Sequence, residues 1–140
     1  MIEVYTDGAC SKGFGGWAWA IDDWRYETGA EPDTTSQRME LRAALEAVRF
    51  LQGPLCIVSD SAYVVNCFAE RWFLGWDIRG WQTKDHKPVK NRDLWEPLIR
   101  LVIERNVTFR KVKGHSGDPG NELVDRLAVE ARLAFAKEWE

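Results

Sequence analysis

Residues 2–10, IEVYTDGAC, change character with a period of two: Ile2, Val4 and Thr6 alternate with Glu3, Tyr5 and Asp7. That period belongs to an extended strand, and Gly8 leaves room for backbone or ligand to come close. Asp7 therefore puts a carboxylate into a segment that otherwise reads as buried, and a buried acid needs a partner. An Asp-Gly pair can simply open a turn. The alternative is that Asp7 belongs to a group of acids, and the rest of the chain has to be searched for its companions.

The chain has 140 residues, 45% of them hydrophobic, enough for one soluble domain with a core and too few for two. No basic leader precedes an apolar run, and no stretch approaches the roughly 20 apolar residues of a membrane helix, so a cytoplasmic protein without membrane contact is expected. Cys10, Cys56 and Cys67 have neither a CxxC spacing nor a partnering histidine, so they are expected to be small buried hydrophobes rather than disulfides or zinc ligands. The net charge is −3, yet residues Arg71 to Lys113 hold 11 Lys/Arg against 5 Asp/Glu, which places a basic face on an acidic body. Solvated helices would read the same on charge alone.

After the first strand, SKGFGG at 11–16 is a turn and Trp17, Trp19 and Ile21 continue in strand alternation; a weaker third strand at 24–32 completes a meander. The apolar spacing of Leu41, Ala44, Leu45 and Val48 predicts a helix over 37–51, stopped by Gly53-Pro54. Glu40 heads its packed stripe, where it could also serve the helix dipole. LCIVS at 55–59 has the continuous apolar run of a strand covered on both faces, with Asp60 at its end, either in a ligand site or capping the next helix. From Glu70 to Asn91, Trp72, Trp76 and Trp81 are interleaved with Arg71, Arg79, Lys84, Lys87 and Lys90. This suits nucleic-acid contact and also the small core of a projecting segment. A helix follows over 93–104, with Pro97 expected in its first turn; then come a strand at 106–113, a glycine-rich loop at 114–121, and a last helix with Asp125 in or near its first turn.

Four segments taken together, TDGAC at 6–10, RMELRA at 38–43, SDSAYV at 59–64 and KGHSGDPGNELVDRLA at 113–128, resemble the type 1 ribonuclease H family of bacteria. Any one would be weak; four in order, with a Trp-rich basic insert between the third and fourth, are specific. The resemblance spans the whole chain and implies an α/β (mixed α+β) ribonuclease H-like fold, a five-stranded mixed sheet of order 3-2-1-4-5 flanked by helices. It implies one domain over 1–140, with a basic handle at about 70–93. It makes Asp7, Glu40, Asp60 and Asp125 the catalytic carboxylates and metal ligands, and His115 the loop histidine that assists proton transfer or product departure. Nothing similar recommends His86. Four acids in one place repel one another unless divalent cations neutralise them, and oxygen-only ligands favour Mg2+, with Mn2+ as a substitute. Two ions about 3.5–4 Å apart can activate a water and stabilise the leaving oxygen. The reaction implied is hydrolysis of the RNA strand of an RNA–DNA hybrid, leaving 5′-phosphate and 3′-hydroxyl ends.

For substrate, the resemblance points to Thr35 and Arg38 at a DNA-strand phosphate, to the backbone around Cys10 and Ser36 at the RNA 2′-hydroxyls, and to Trp72, Trp76, Trp81, Lys84, Lys87 and Lys90 of the handle. The chain departs from the family pattern where Ser36 and Gln37 replace two asparagines, where Ala62 replaces a glutamine, and in a shorter turn at 11–15. Another nuclease of the same superfold, or an inactive hybrid-binding module, remains as an alternative. A monomer is expected.

Overall fold

A computed structural model of the protein describes residues 1–139. Three antiparallel strands come first: β1 (Ile2–Ser11), β2 (Phe14–Ala20) and β3 (Tyr26–Glu31). They are followed by α1 (Ser36–Phe50), β4 (Leu55–Ser59), α2 (Ala62–Ala69), α3 (Trp72–Ile78), α4 (Arg92–Glu104), β5 (Val107–Lys111) and α5 (Pro119–Glu138). β4 pairs parallel to β1, and β5 parallel to β4, giving one sheet of order β3-β2-β1-β4-β5. This is the expected order. The third strand begins two residues later than the sequence suggests, because Asp22 accepts hydrogen bonds from the backbone of Trp24 and Arg25 and holds that stretch in a turn.

The alternation along β2 decides how the two faces are covered. Trp17 and Trp19 point into the main core with Val4, Met39, Leu41, Leu45, Ile57 and Trp95, beneath α1 and α4. Ala18 and Ala20 point the other way, into a thinner core with Val124 and Ala128 of α5. Large residues on one face and small ones on the other let α5 lie directly on the strands. Gly16 marks the closest approach: a Cβ there would overlap the carbonyl oxygen of Ala128 and come to 2.7 Å from the Arg132 nitrogen.

Arg105, at the end of α4, reaches across to the C-terminus of α1. Its guanidinium donates to the carbonyls of Val48, Leu51 (2.7 Å) and Gly53 (3.0 Å), so one cation ties the last turn of α1 to the loop that follows it. Two expectations need correction. Pro97 stands at the sixth residue of α4, in its second turn; the bond it forgoes is to Asp93, which is exposed, so that carbonyl is open to water. Among the cysteines only Cys67 is buried, while Cys10 and Cys56 are partly exposed: Cys10 lies near the end of β1, its thiol against the Thr34 carbonyl ahead of α1, and Cys56 stands between Leu55 and Ile57 of the main core without joining it.

Gly16→Ala is expected to lower stability by about 1–3 kcal/mol, since the methyl must push α5 off β2, and a denaturant melt compared with wild type measures it.

Candidate active site

The parallel β1–β4 ladder stops at Tyr5 opposite Val58, whereas β1 stays paired with β2 as far as Ser11 opposite Phe14. Asp7 lies two residues beyond the last parallel pair and Asp60 directly after the end of β4, so both stand at the carboxyl ends of adjacent parallel strands, where sites form. Glu40 arrives from α1. The helix can come that close because of Gly8, where a Cβ would overlap the backbone nitrogen of Glu40 and lie 2.5 Å from the Met39 carbonyl carbon. Thr35 caps α1 by accepting from the Arg38 N–H at 3.2 Å, and Met39 is fully buried beneath it. As a result, Asp7, Glu40 and Asp60 each offer a carboxylate oxygen within 4.8 Å of the others.

Asp125 stands outside that tight group, on the second turn of α5, yet its charge acts on Asp7. The start of α5 is fixed by Asp118, which accepts from the Gly120 and Asn121 N–H groups at 3.0 and 3.2 Å and from the Tyr5 hydroxyl at 3.4 Å, while the Tyr5 ring seats against Gly120. Capping does not account for the four acids. Ser61, not Asp60, caps α2; Glu40 and Asp125 lie past the first turns of their helices; and the first-turn acid of α5 is Glu122.

Two residues that sequence reasoning left without a role support the acids. Asn121, buried in α5, donates to Asp60 Oδ2 at 3.3 Å. It sits three residues before Val124 on the core stripe, a place where an amide signals a specific partner. The Ser61 hydroxyl accepts from the Val64 N–H at 3.2 Å, and its effect on Glu40 favours the charged form of that carboxylate.

Crowding sets the electrostatics. Asp7 is 5% exposed, and its pKa rises from 3.8 to about 8. Burial is the main cause, followed by the charge of Asp60, with smaller contributions from Asp125 and Glu40; a hydrogen bond from the Gly8 N–H opposes them. Glu40 is also raised, by burial first, against the Ser61 hydrogen bond and with the charge of Asp60. An all-oxygen cluster in which burial and neighbouring charge oppose the ionisation of Asp7 and Glu40 fits a divalent metal ion, which would remove that penalty.

The loop after β5 passes beside this cluster: a Cβ on Gly114 would lie 2.9 Å from Asp60 Oδ2. His115 follows it, exposed and with φ of +57°. At the start of α1, Thr35 and Ser36 are exposed and the Cys10 thiol donates to the Thr34 carbonyl at 3.4 Å. Arg38 has a protein partner: its guanidinium makes a two-pronged pair with Asp93 at 2.9 and 2.7 Å and donates to Asn91 Oδ1 at 3.2 Å.

The handle residues do not share one surface. Trp76, Lys87 and Lys90 line a groove of about 340 Å³ that faces Gln37 and Tyr63, the latter holding the base of the handle by accepting from Asn91 and from Trp95 Nε1. Trp72 and Lys84 line a second cavity that adjoins this groove at Trp76 and Thr83. Trp81 lies on the α4 side with Ile99 and Ile103, with the Arg92 guanidinium 5.0 Å over its ring.

The Asp7 shift carries a sign. Its folded pKa lies above its ordinary value, so the metal-free fold retains a proton that the unfolded chain releases. The stability this contributes is complete below about pH 4 and is lost as pH rises towards about 8. In chelator, thermal melts from pH 5 to 9 should show Asp7→Asn losing that decline, with the variant on the order of 3 kcal/mol more stable than wild type at pH 9.

Comparison with known proteins agrees with this geometry. The model of the RNase H family matches residues 1–132. The chain is 44% identical to the ribonuclease H of Moorella thermoacetica, over 98% of this chain and 95% of the relative. It is 48% identical to that of Maricaulis maris, over 97% and 95%. LC9-RNase H1, described as a type 1 RNase H with the type 2 active-site motif, superposes with a TM-score of 0.78 at 29% identity, covering 94% of this chain and 72% of that one. A foamy viral protease-reverse transcriptase solved with an RNA/DNA hybrid shares the fold at TM-score 0.79 and 22% identity, over 94% of this chain and 20% of the viral one. With its sheet order, its converging acids and these relatives along nearly its full length, the chain belongs to the RNase H family, enzymes that cut RNA paired with DNA.

Proposed function

We propose that Asp7, Glu40, Asp60 and Asp125 bind two Mg2+ ions, replaceable by Mn2+, and carry the hydrolysis of the RNA strand of an RNA–DNA hybrid to 5′-phosphate and 3′-hydroxyl ends. The observation that carries this reading is the meeting of carboxylates from β1, α1 and the end of β4 around a buried Asp7 that cannot hold its charge unaided. When bound, the ions supply the neutralising charge, activate the attacking water and stabilise the leaving 3′ oxygen.

The chain's own groups prepare the site. Asp7 gives up its proton when it ligates, so metal affinity rises with pH towards about 8. Asn121 holds one oxygen of Asp60, so that acid presents a defined lone pair, and Ser61 favours the charged form of Glu40. His115, exposed one residue beyond the backbone that touches Asp60, moves a proton or helps the product leave.

On the substrate side, the backbone around Cys10 and Ser36 at the start of α1 meets the RNA 2′-hydroxyls, Thr35 and Arg38 a DNA-strand phosphate, and Trp76, Lys87 and Lys90 the DNA strand in the groove beside α1. Trp72, Trp81 and Lys84 support the handle's approach from its other sides. One domain with its handle at about 70–93 acts as a monomer, in the cytoplasm; no helix among the described residues is long and apolar enough to cross a membrane. Retention of all four acids favours an active enzyme over a hybrid-binding module.

With Mg2+ and labelled substrates, cleavage is expected only of RNA paired with DNA; equal cutting of duplex DNA, or full activity in excess chelator, would sink the reading. Asp7→Asn, Glu40→Gln and Asp60→Asn should each lower kcat at least about a thousandfold with hybrid affinity nearly unchanged, whereas His115→Ala should cost about 10²-fold. Because Arg38 meets a phosphate in competition with Asp93, Asp93→Asn should tighten hybrid binding at low salt and steepen the slope of log affinity against log salt by about 0.9. A salt titration that leaves both unchanged would mean that Arg38 does not meet the backbone.

A further inference from the structure

A cavity of about 420 Å³ opens on the handle beside the α1 groove. The two concavities are neighbours, sharing Trp76 and Thr83 in their walls. The size falls within the roughly 300–1,000 Å³ of ordinary ligand sites. Its charge is unlike that of the handle as a whole. Arg71, Arg79 and Lys84 line it against a single acid, Glu70, while Asp77 and Asp85 line other cavities. The handle's positive charge is thus concentrated here.

The polar groups are already held. Arg79 Nε donates to the Gln82 carbonyl at 3.1 Å, which fixes the guanidinium, and the one acid accepts from Trp72 Nε1 at 3.2 Å, which orients the indole. Trp72 and Trp76 lie 6.3 Å apart at 52° and pack on Tyr63 and Trp95, so their remaining surface forms a rigid aromatic wall. Three cations beside two indoles match the two chemistries of a single strand: phosphates for the cations, and a base face for the rings. Inside a duplex both faces of each base are covered by its stacked neighbours, so successive bases can stack on the free Trp72 face only where they are unpaired.

Resting on the hybrid-cleaving reading, we infer that this cavity is a second nucleic-acid subsite, which takes a single-stranded stretch continuing beyond the hybrid held in the neighbouring groove. Phosphates lie against Arg71 and Arg79, with Lys84 at the rim, and a base stacks on Trp72. The enzyme would thereby prefer hybrids flanked by unpaired nucleotides over blunt ones.

Binding of blunt hybrid is to be compared with binding of the same hybrid carrying a four-nucleotide overhang of DNA or of RNA, in chelator so that nothing is cut. An overhang of at least one of these kinds should tighten binding about tenfold and steepen the salt slope by about 0.7 per phosphate engaged. Arg71→Gly suits the left-handed backbone at that residue (φ +55°) and leaves the fold undisturbed. Alone and with Arg79→Gln, it should abolish the gain from the overhang while leaving blunt-hybrid affinity and cleavage unchanged. The site is overturned if neither overhang tightens binding, or if the gain survives in Arg71→Gly. Titration with single-stranded (dT)8, followed by indole fluorescence, separates this inference from the functional reading. Saturable quenching that Arg71→Gly weakens supports the subsite even if blunt hybrid does not bind, and absence of quenching overturns it even if blunt hybrid is cleaved.

Discussion

The contact of α1 with β1 at Gly8 is what the rest of this structure depends on. A strand residue without a Cβ lets the helix backbone rest on the strand, and only then does a carboxylate carried by the fifth residue of α1 reach one carried by the seventh residue of the chain. The same approach buries Asp7 and raises its pKa to about 8. The site is therefore poised between two states, a proton on buried Asp7 or a cation beside its carboxylate, and the second is the one an oxygen-only cluster is suited to.

Around that contact the protein spends conformational definition unevenly. The α5 side of the sheet is made of small residues so that a long helix can lie flat, with Tyr5 and Asp118 setting where it begins and hence where Asp125 stands. The α1 side is filled by tryptophans and aliphatics, and that aromatic packing continues through Tyr63 and Trp95 into the handle. A single aromatic column thus connects the core to the projecting segment. The handle is a packed extension of the domain whose cations are displayed on its outside.

Cations near the substrate surface fall into two groups. Lys87 and Lys90 are exposed beside the α1 groove, available as point charges. Arg38 is held by Asp93, and Arg79 by a backbone carbonyl, so their planar forks are pre-oriented at the cost of some free charge. Arg105 shows a third use of arginine, as the cap of a helix end at the partly exposed edge of the fold.

Much of this was legible in the sequence. Period-two alternation marked β1 and β2, the 3.6 period marked α1 and α5, and the apolar run LCIVS marked the covered strand β4, because backbone geometry writes those periods locally. The four acids and the order of the sheet followed from motifs in sequence order. The supporting partners did not: Asn121 meets Asp60 across 61 residues and Arg38 meets Asp93 across 55, and no local pattern encodes a contact between distant segments. Nor did charge spacing reveal that the handle's tryptophans and lysines divide among three surfaces, since the turn of the chain at Trp81 and His86, both at positive φ, redirects them. What the sequence alone determined was which residues form strands and helices and which acids are available for a site. How near those acids stand, how strongly they hold their protons and which cations are free was decided only by tertiary packing, because burial and distance are properties of the folded chain.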